Sequence, residues 1–159
     1  MSNVCTANTA VRRVRAPSLG ELATATWSNA LLIGNEVVMS GMTGHPATRQ
    51  AAEVGTPLGA YQQTLVVLNK ARALVEAAGG HIGNLYRLTV YVTDIADKDE
   101  VGRARRDFFE GFSAYPTSTL VQISGLVFPE LLVEIEASAR LDIDLRAAVA
   151  PVTTSLEKG

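Results

Sequence analysis

The stretch Val133–Leu141 alternates without a break. Val133, Ile135, Ala137, Ala139 and Leu141 are apolar; Glu134, Glu136, Ser138 and Arg140 are polar. A period of two describes a strand with one apolar and one polar face. A sheet is therefore required, and its apolar side must be covered. The polar side carries two carboxylates. Either that side meets solvent, or Glu134 and Glu136 have partners, because a buried ionised group needs one. Taken alone, the residues leave both readings open. Just upstream, Pro116 and Thr117-Ser118-Thr119 lead into a second strand-like run, Leu120–Ile123, and residues 125–129 link the two.

The cover comes from helices. Leu65, Leu68, Ala71, Val75 and Ala78 recur at spacings of three and four, which predicts a helix over 58–78. Gly79-Gly80 closes it, as glycine does at helix C-termini. A second helix is predicted over 98–112. Asp97, Asp99 and Glu100 suit the positive end of its dipole. Arg103, Arg105 and Arg106 form its basic outer face, while Val101, Ala104, Phe108 and Phe109 turn inward. Between the helices, Leu88, Val90 and Val92 alternate with Thr89, Tyr91 and Thr93, a strand within 84–94.

The N-terminal half is a hairpin signal. Trp27–Leu32 and Glu36–Ser40 are apolar runs joined by Gly34-Asn35. Arg12, Arg13 and Arg15 read as a solvated edge strand, and 41–57 as a long loop with room for one short strand. Residues 1–11 read as a flexible leader, 12–144 as a single domain and 145–159 as a loosely ordered tail. Two helices cover only one face of a sheet. Self-association would bury the other, and a small site would then fit between subunits.

Composition excludes several classes. At 159 residues and 47% apolar, the chain can build one domain with a core. A net charge of −2 gives no case for nucleic acid or an anionic membrane. No apolar run approaches the roughly 18 residues that span a bilayer. The lone Cys5 cannot form an internal disulfide and fits a reducing cytoplasm. His45 and His81 have no second ligand at metal-binding spacing, so no metal is expected. "GMTG" lacks the spacing and lysine of a phosphate-binding loop.

With these pieces in place, the chain resembles the Rid (YjgF) family of reactive-intermediate deaminases. The resemblance runs from about Ser28 to Leu141. It is carried by "WSNALLIGNEVVMSG", "LNKARALVEAAGG", "LYRLTVYVTDIADKDEV", "DFFEGFSAYPT" and "LLVEIEASA". It implies an α+β, chorismate-mutase-like fold, with a mixed six-stranded sheet and two helices on one face. It also implies a homotrimer with clefts between neighbouring subunits. The activity implied is hydrolysis of imines and enamines to keto acids and ammonia, with no metal or organic cofactor.

The same resemblance assigns roles. Glu134 stands where relatives keep the glutamate that positions attacking water. Ser40 stands at the small hydroxyl residue closing the hairpin. Trp27 replaces a tyrosine of the first strand, Leu120 a cysteine, and Gly102 lies near an asparagine that opens the second helix. Relatives place an arginine two residues after Pro116; here Ser118 holds that place, followed by Thr119. Arginine pairs both oxygens of a carboxylate, whereas serine offers one neutral hydroxyl. Losing such a pair weakens binding by about 2–5 kcal/mol. The ligand is therefore expected to be larger than 2-iminopropionate, to lack an α-carboxylate, or to use another arginine: Arg87, Arg105 or Arg106. Thr43, Gly44 and His45 directly follow the hairpin and are expected at the cleft mouth. A non-catalytic trimeric binding module is the alternative. An RNA-cleaving role, known for some relatives, fits poorly with the acidic balance.

Overall fold

The computed structural model describes residues 9–149 and 152. Cys5 and most of the expected leader lie outside the described residues; Val11 already belongs to a strand. The chain runs β1 (Val11–Val14), β2 (Ala30–Ile33), β3 (Glu36–Met39), β4 (Met42–Thr43), α1 (Ala47–Glu53), α2 (Ala60–Ala77), β5 (Leu85–Val92), α3 (Lys98–Phe108), β6 (Thr117–Gln122) and β7 (Val133–Arg140). The seven strands form one mixed sheet in the order β1-β2-β3-β7-β5-β6, with β4 also paired to β7. Only β5 and β6 are parallel, as expected of two strands joined through a helix.

The expected six strands and two helices become seven strands and three helices. The added strand is β4, for which the loop reading had left room. The added helix, α1, carries no apolar periodicity: its sequence is ATRQAAE and only Thr48 is buried. It is held from outside, by Arg49 pairing Glu130 at 2.7 Å and stacking over Phe128 at 4.6 Å. The hairpin forms around Gly34-Asn35 as predicted. Gly34 has φ +59°, which a two-residue hairpin turn accepts most readily from glycine. Trp27 is not in β2. It lies in a bend three residues before the strand begins, because only Ala30 onward pairs with β1 and β3.

α2 lies across the sheet's apolar face. Val67, Leu68, Ala71, Leu74 and Val75 are buried there, with Val37, Leu88, Val90, Ile135, Ala137 and Ala139. α3 lies beside α2: Phe108 sits under Arg72 at 4.8 Å, and Tyr61 donates to Asp107 at 2.7 Å. Among the described residues no helix covers the opposite face, where Arg87, Thr89, Tyr91, Thr117, Thr119, Glu134, Glu136 and Ser138 point. The chain after 144 was expected to be loose, but Leu145–Ala147 form a docked turn. Asp144 accepts from the Arg146 N–H, the Leu145 carbonyl accepts from the Ala114 N–H, and the Arg146 carbonyl accepts from Ser113.

Candidate functional site

Strand register decides what surrounds Glu134. Val38 faces Ser138, but Met42 faces Ile135, so residues 39–41 lie opposite only two residues of β7. That is a bulge of one extra residue, a device that re-aims side chains beside functional sites. It falls on Ser40-Gly41. Beyond it, Thr43 of β4 flanks Glu134 on one side and Tyr91 of β5 on the other.

Gly41 is the decisive neighbour. A Cβ at this position would lie 2.9 Å from Glu134 Cδ and would overlap its carboxylate oxygen. The carboxylate thus rests against bare backbone. It is half-buried, and burial raises its pKa, with nearby Glu136 adding to the rise. A carboxylate shifted upward is a better base near neutrality than an ordinary one. Gly41→Ala is expected to push the flexible glutamate aside at little cost in stability. Melting temperature should stay within about 2 °C, since a change under about 0.5 kcal/mol moves a domain of this size no further. Any hydrolysis that uses Glu134 as its base should fall by about tenfold or more, because a misplacement of about 1 Å is costly. Parallel activity and melting measurements check both halves.

Ser40 donates to the Ser28 carbonyl at 2.7 Å, and its N–H bonds the Asn29 carbonyl at 3.0 Å. Its hydroxyl proton is therefore committed, leaving its oxygen free to accept. The neighbouring Trp27 exposes 54% of its surface. Thr43 and His45 are pinned to α2 by Lys70, whose ammonium donates to both carbonyls. Burial lowers the Lys70 pKa. The His45 ring packs on Phe128 at 4.9 Å.

The predicted site residues do not converge in one chain. Ser118 pairs with Leu88 and Leu120 with Val90, which puts both on the helix-covered face at the β6 edge. Thr119 and Glu134 project from the other face. Gly102 lies inside α3, which begins at Lys98 as predicted. It is the fifth residue of that helix, on the helix-covered side of the sheet. Two clefts of about 320 and 310 Å³ lie elsewhere, around Arg12, Arg13, Arg15, Glu21 and the end of α2, and include none of these residues.

A family model described as endoribonuclease L-PSP matches residues 19–141. The chain belongs to this family, the Rid (YjgF) proteins. The 2-iminobutanoate/2-iminopropanoate deaminase of Escherichia coli is 32% identical over 108 residues, covering 67% of this chain and 80% of that enzyme. Among solved structures, the protein of unknown function PA3499 from Pseudomonas aeruginosa is 68% identical. It covers 89% of this chain and 99% of its own, with a TM-score of 0.87. E. coli TdcF with bound serine is 28% identical, covering 74% and 90%, with a TM-score of 0.62. Within this Rid chain, sequence reasoning missed Gly41, Tyr91 and Lys70 as neighbours of the site. The glycine could have been flagged from "MSGMTG", where two glycines interrupt apolar alternation and signal a bulge. The other two are brought in by long-range pairing and carry no local signal.

Proposed function

We propose that this Rid-family protein hydrolyses a small imine or enamine in clefts of a homotrimer. Each cleft would lie between the Glu134 face of one chain and the β6 edge of its neighbour. One observation carries the reading: Ser118 and Glu134 lie on opposite faces of one sheet, so a site using both needs two chains. The deaminase name of the E. coli relative and the serine held by TdcF support a small amino-acid-derived ligand. The net charge of −2 favours this over RNA cleavage.

The mechanism needs only water and proton transfers, so no cofactor is invoked. Glu134 takes a proton from water as its oxygen bonds to the C=N carbon, and the imine nitrogen gains a proton. The resulting carbinolamine expels ammonia when the nitrogen is protonated again, from the Glu134 carboxylic acid, and the hydroxyl proton is lost. The carbon keeps oxygen as a carbonyl. Ser40 accepts a hydrogen bond from the ligand, and Trp27 stacks on it. Thr119 lies on the Glu134 face, while Ser118, Leu120 and Gly102 form the neighbour's wall. The protein acts in the cytoplasm, where amino-acid-derived imines arise.

The neutral Ser118 makes 2-iminopropionate a poor substrate. The test generates 2-imino acids from alanine, leucine and phenylalanine with an amino-acid oxidase and follows their decay. Acceleration is expected, and it should be weakest for the alanine product. Ligand binding with no acceleration anywhere in the series would leave the non-catalytic binding module instead.

A further inference from the structure

Six arginines of the described residues, 13, 15, 49, 103, 140 and 146, pair with a carboxylate. Arg105 is half-buried and pairs with none among the described residues. Its Nε is shut off from solvent with no hydrogen-bond partner. Burying a guanidinium without a counter-charge is expensive, and such groups are normally paired.

Its place in the fold shows what it faces. α3 is the crossover between parallel β5 and β6, so it runs antiparallel to both. On α3, Arg103 and Asp107 touch Tyr61 of α2. At about 100° per residue, Arg105 lies roughly 160° round the helix from both. α2 sits over β7, β4 and β3, and α3, which joins β5 to β6, lies beside it toward the β5–β6 side of the sheet. The levels agree as well. Arg105 is roughly 4.5 Å back from the last residue of α3, and Ser118 roughly 3.3 Å into β6. Tyr115, just ahead of β6, is close enough for its hydroxyl to interact with the guanidinium charge. Gly102, one turn earlier on the same flank, leaves the space beside it open: a Cβ there would meet only Arg106, at 3.7 Å.

Of the other two candidate arginines, Arg106 is exposed, and Arg87 lies on the Glu134 face, on the far side of the sheet from Ser118 of its own chain. The geometry points to Arg105, carried by α3, as the cationic anchor for a carboxylate-bearing ligand lying along the β6 edge over Ser118 and Leu120. The inference rests on the cleft proposed above. It moves the positive charge from strand to helix, so that a carboxylate is still recognised, but nearer α3 than a strand-borne arginine would hold it.

The test titrates the intact protein with 2-oxobutanoate and with its neutral amide, 2-oxobutanamide, by calorimetry. Wild type should bind the acid at least about 30-fold more tightly than the amide. Arg105→Gln should lower acid affinity to the amide's level and leave amide affinity unchanged, which shows that the cleft persists. Arg105→Lys, which keeps the charge without the fork, should fall between. Equal binding of acid and amide to wild type, or undiminished acid binding by both variants, overturns the Arg105 assignment while the cleft stands. Absence of binding by either probe to wild type overturns the cleft reading and this inference together.

Discussion

Glu134→Gln is expected to slow imine hydrolysis by about 10²- to 10⁴-fold, the range a positioned general base contributes. The amide keeps the shape and the contact with Gly41 but cannot take a proton from water. Wild-type activity should rise with pH through the Glu134 pKa, which burial and Glu136 hold above its ordinary value of 4.5. The variant should lose that limb. Stability should move the other way. A carboxyl whose folded pKa is raised contributes stability fully present below the unfolded value and lost as pH rises through the folded one. The neutral glutamine escapes that loss. Its melting temperature should match wild type near pH 4 and equal or exceed it at pH 7 to 8. A carboxylate serving only to brace the sheet would give the reverse: a less stable variant of near-normal activity. Retention of activity within twofold would remove Glu134 from the mechanism.

The second large effect concerns Gln63, a fully buried side chain on α2. Its amide donates to the carbonyls of Leu58 at 2.8 Å and Glu130 at 2.9 Å, and its oxygen accepts from the Leu132 N–H at 2.8 Å. One side chain thus ties the entry to α2 and the entry to β7 to the helix. Gln63→Leu fills much the same volume but strands three part-buried backbone groups. Each lost bond costs about 0.5–1.5 kcal/mol, and an unsatisfied buried partner about 1–3. A loss of about 3–5 kcal/mol is expected, some 6–20 °C in melting temperature for a domain of this size. Leu132 stands two residues before Glu134, so activity should drop even at temperatures where the variant is folded. A change under about 1 kcal/mol by denaturant titration would show that the loops hold themselves.

Much of the fold is legible in the residues because it follows local periods. The alternation of 133–141 matches β7, Gly34-Asn35 turns the hairpin, and the three-four spacing of Leu65 to Ala78 gives α2. α1 escaped notice because a seven-residue helix with one buried residue is held by Arg49 and Glu130, 81 positions apart. Trp27 looked like strand because it adjoins an apolar run, yet pairing begins only at Ala30.

The sequence by itself determined a sheet with one apolar face, the helices that cover it and membership of the Rid family. It also placed Ser118, a neutral residue, two positions after Pro116. Those features repeat every two or three to four residues, or sit in contiguous motifs, so neighbours along the chain suffice to define them. Only the tertiary structure decided that Glu134 rests on Gly41 at a bulge, that Ser118 and Leu120 look out from the other face, and that Arg105 is half-buried with its Nε unpartnered. The reason is register: which side chains share a face depends on how strands distant in sequence align, and one extra residue at Ser40-Gly41 shifts what stands beside Glu134.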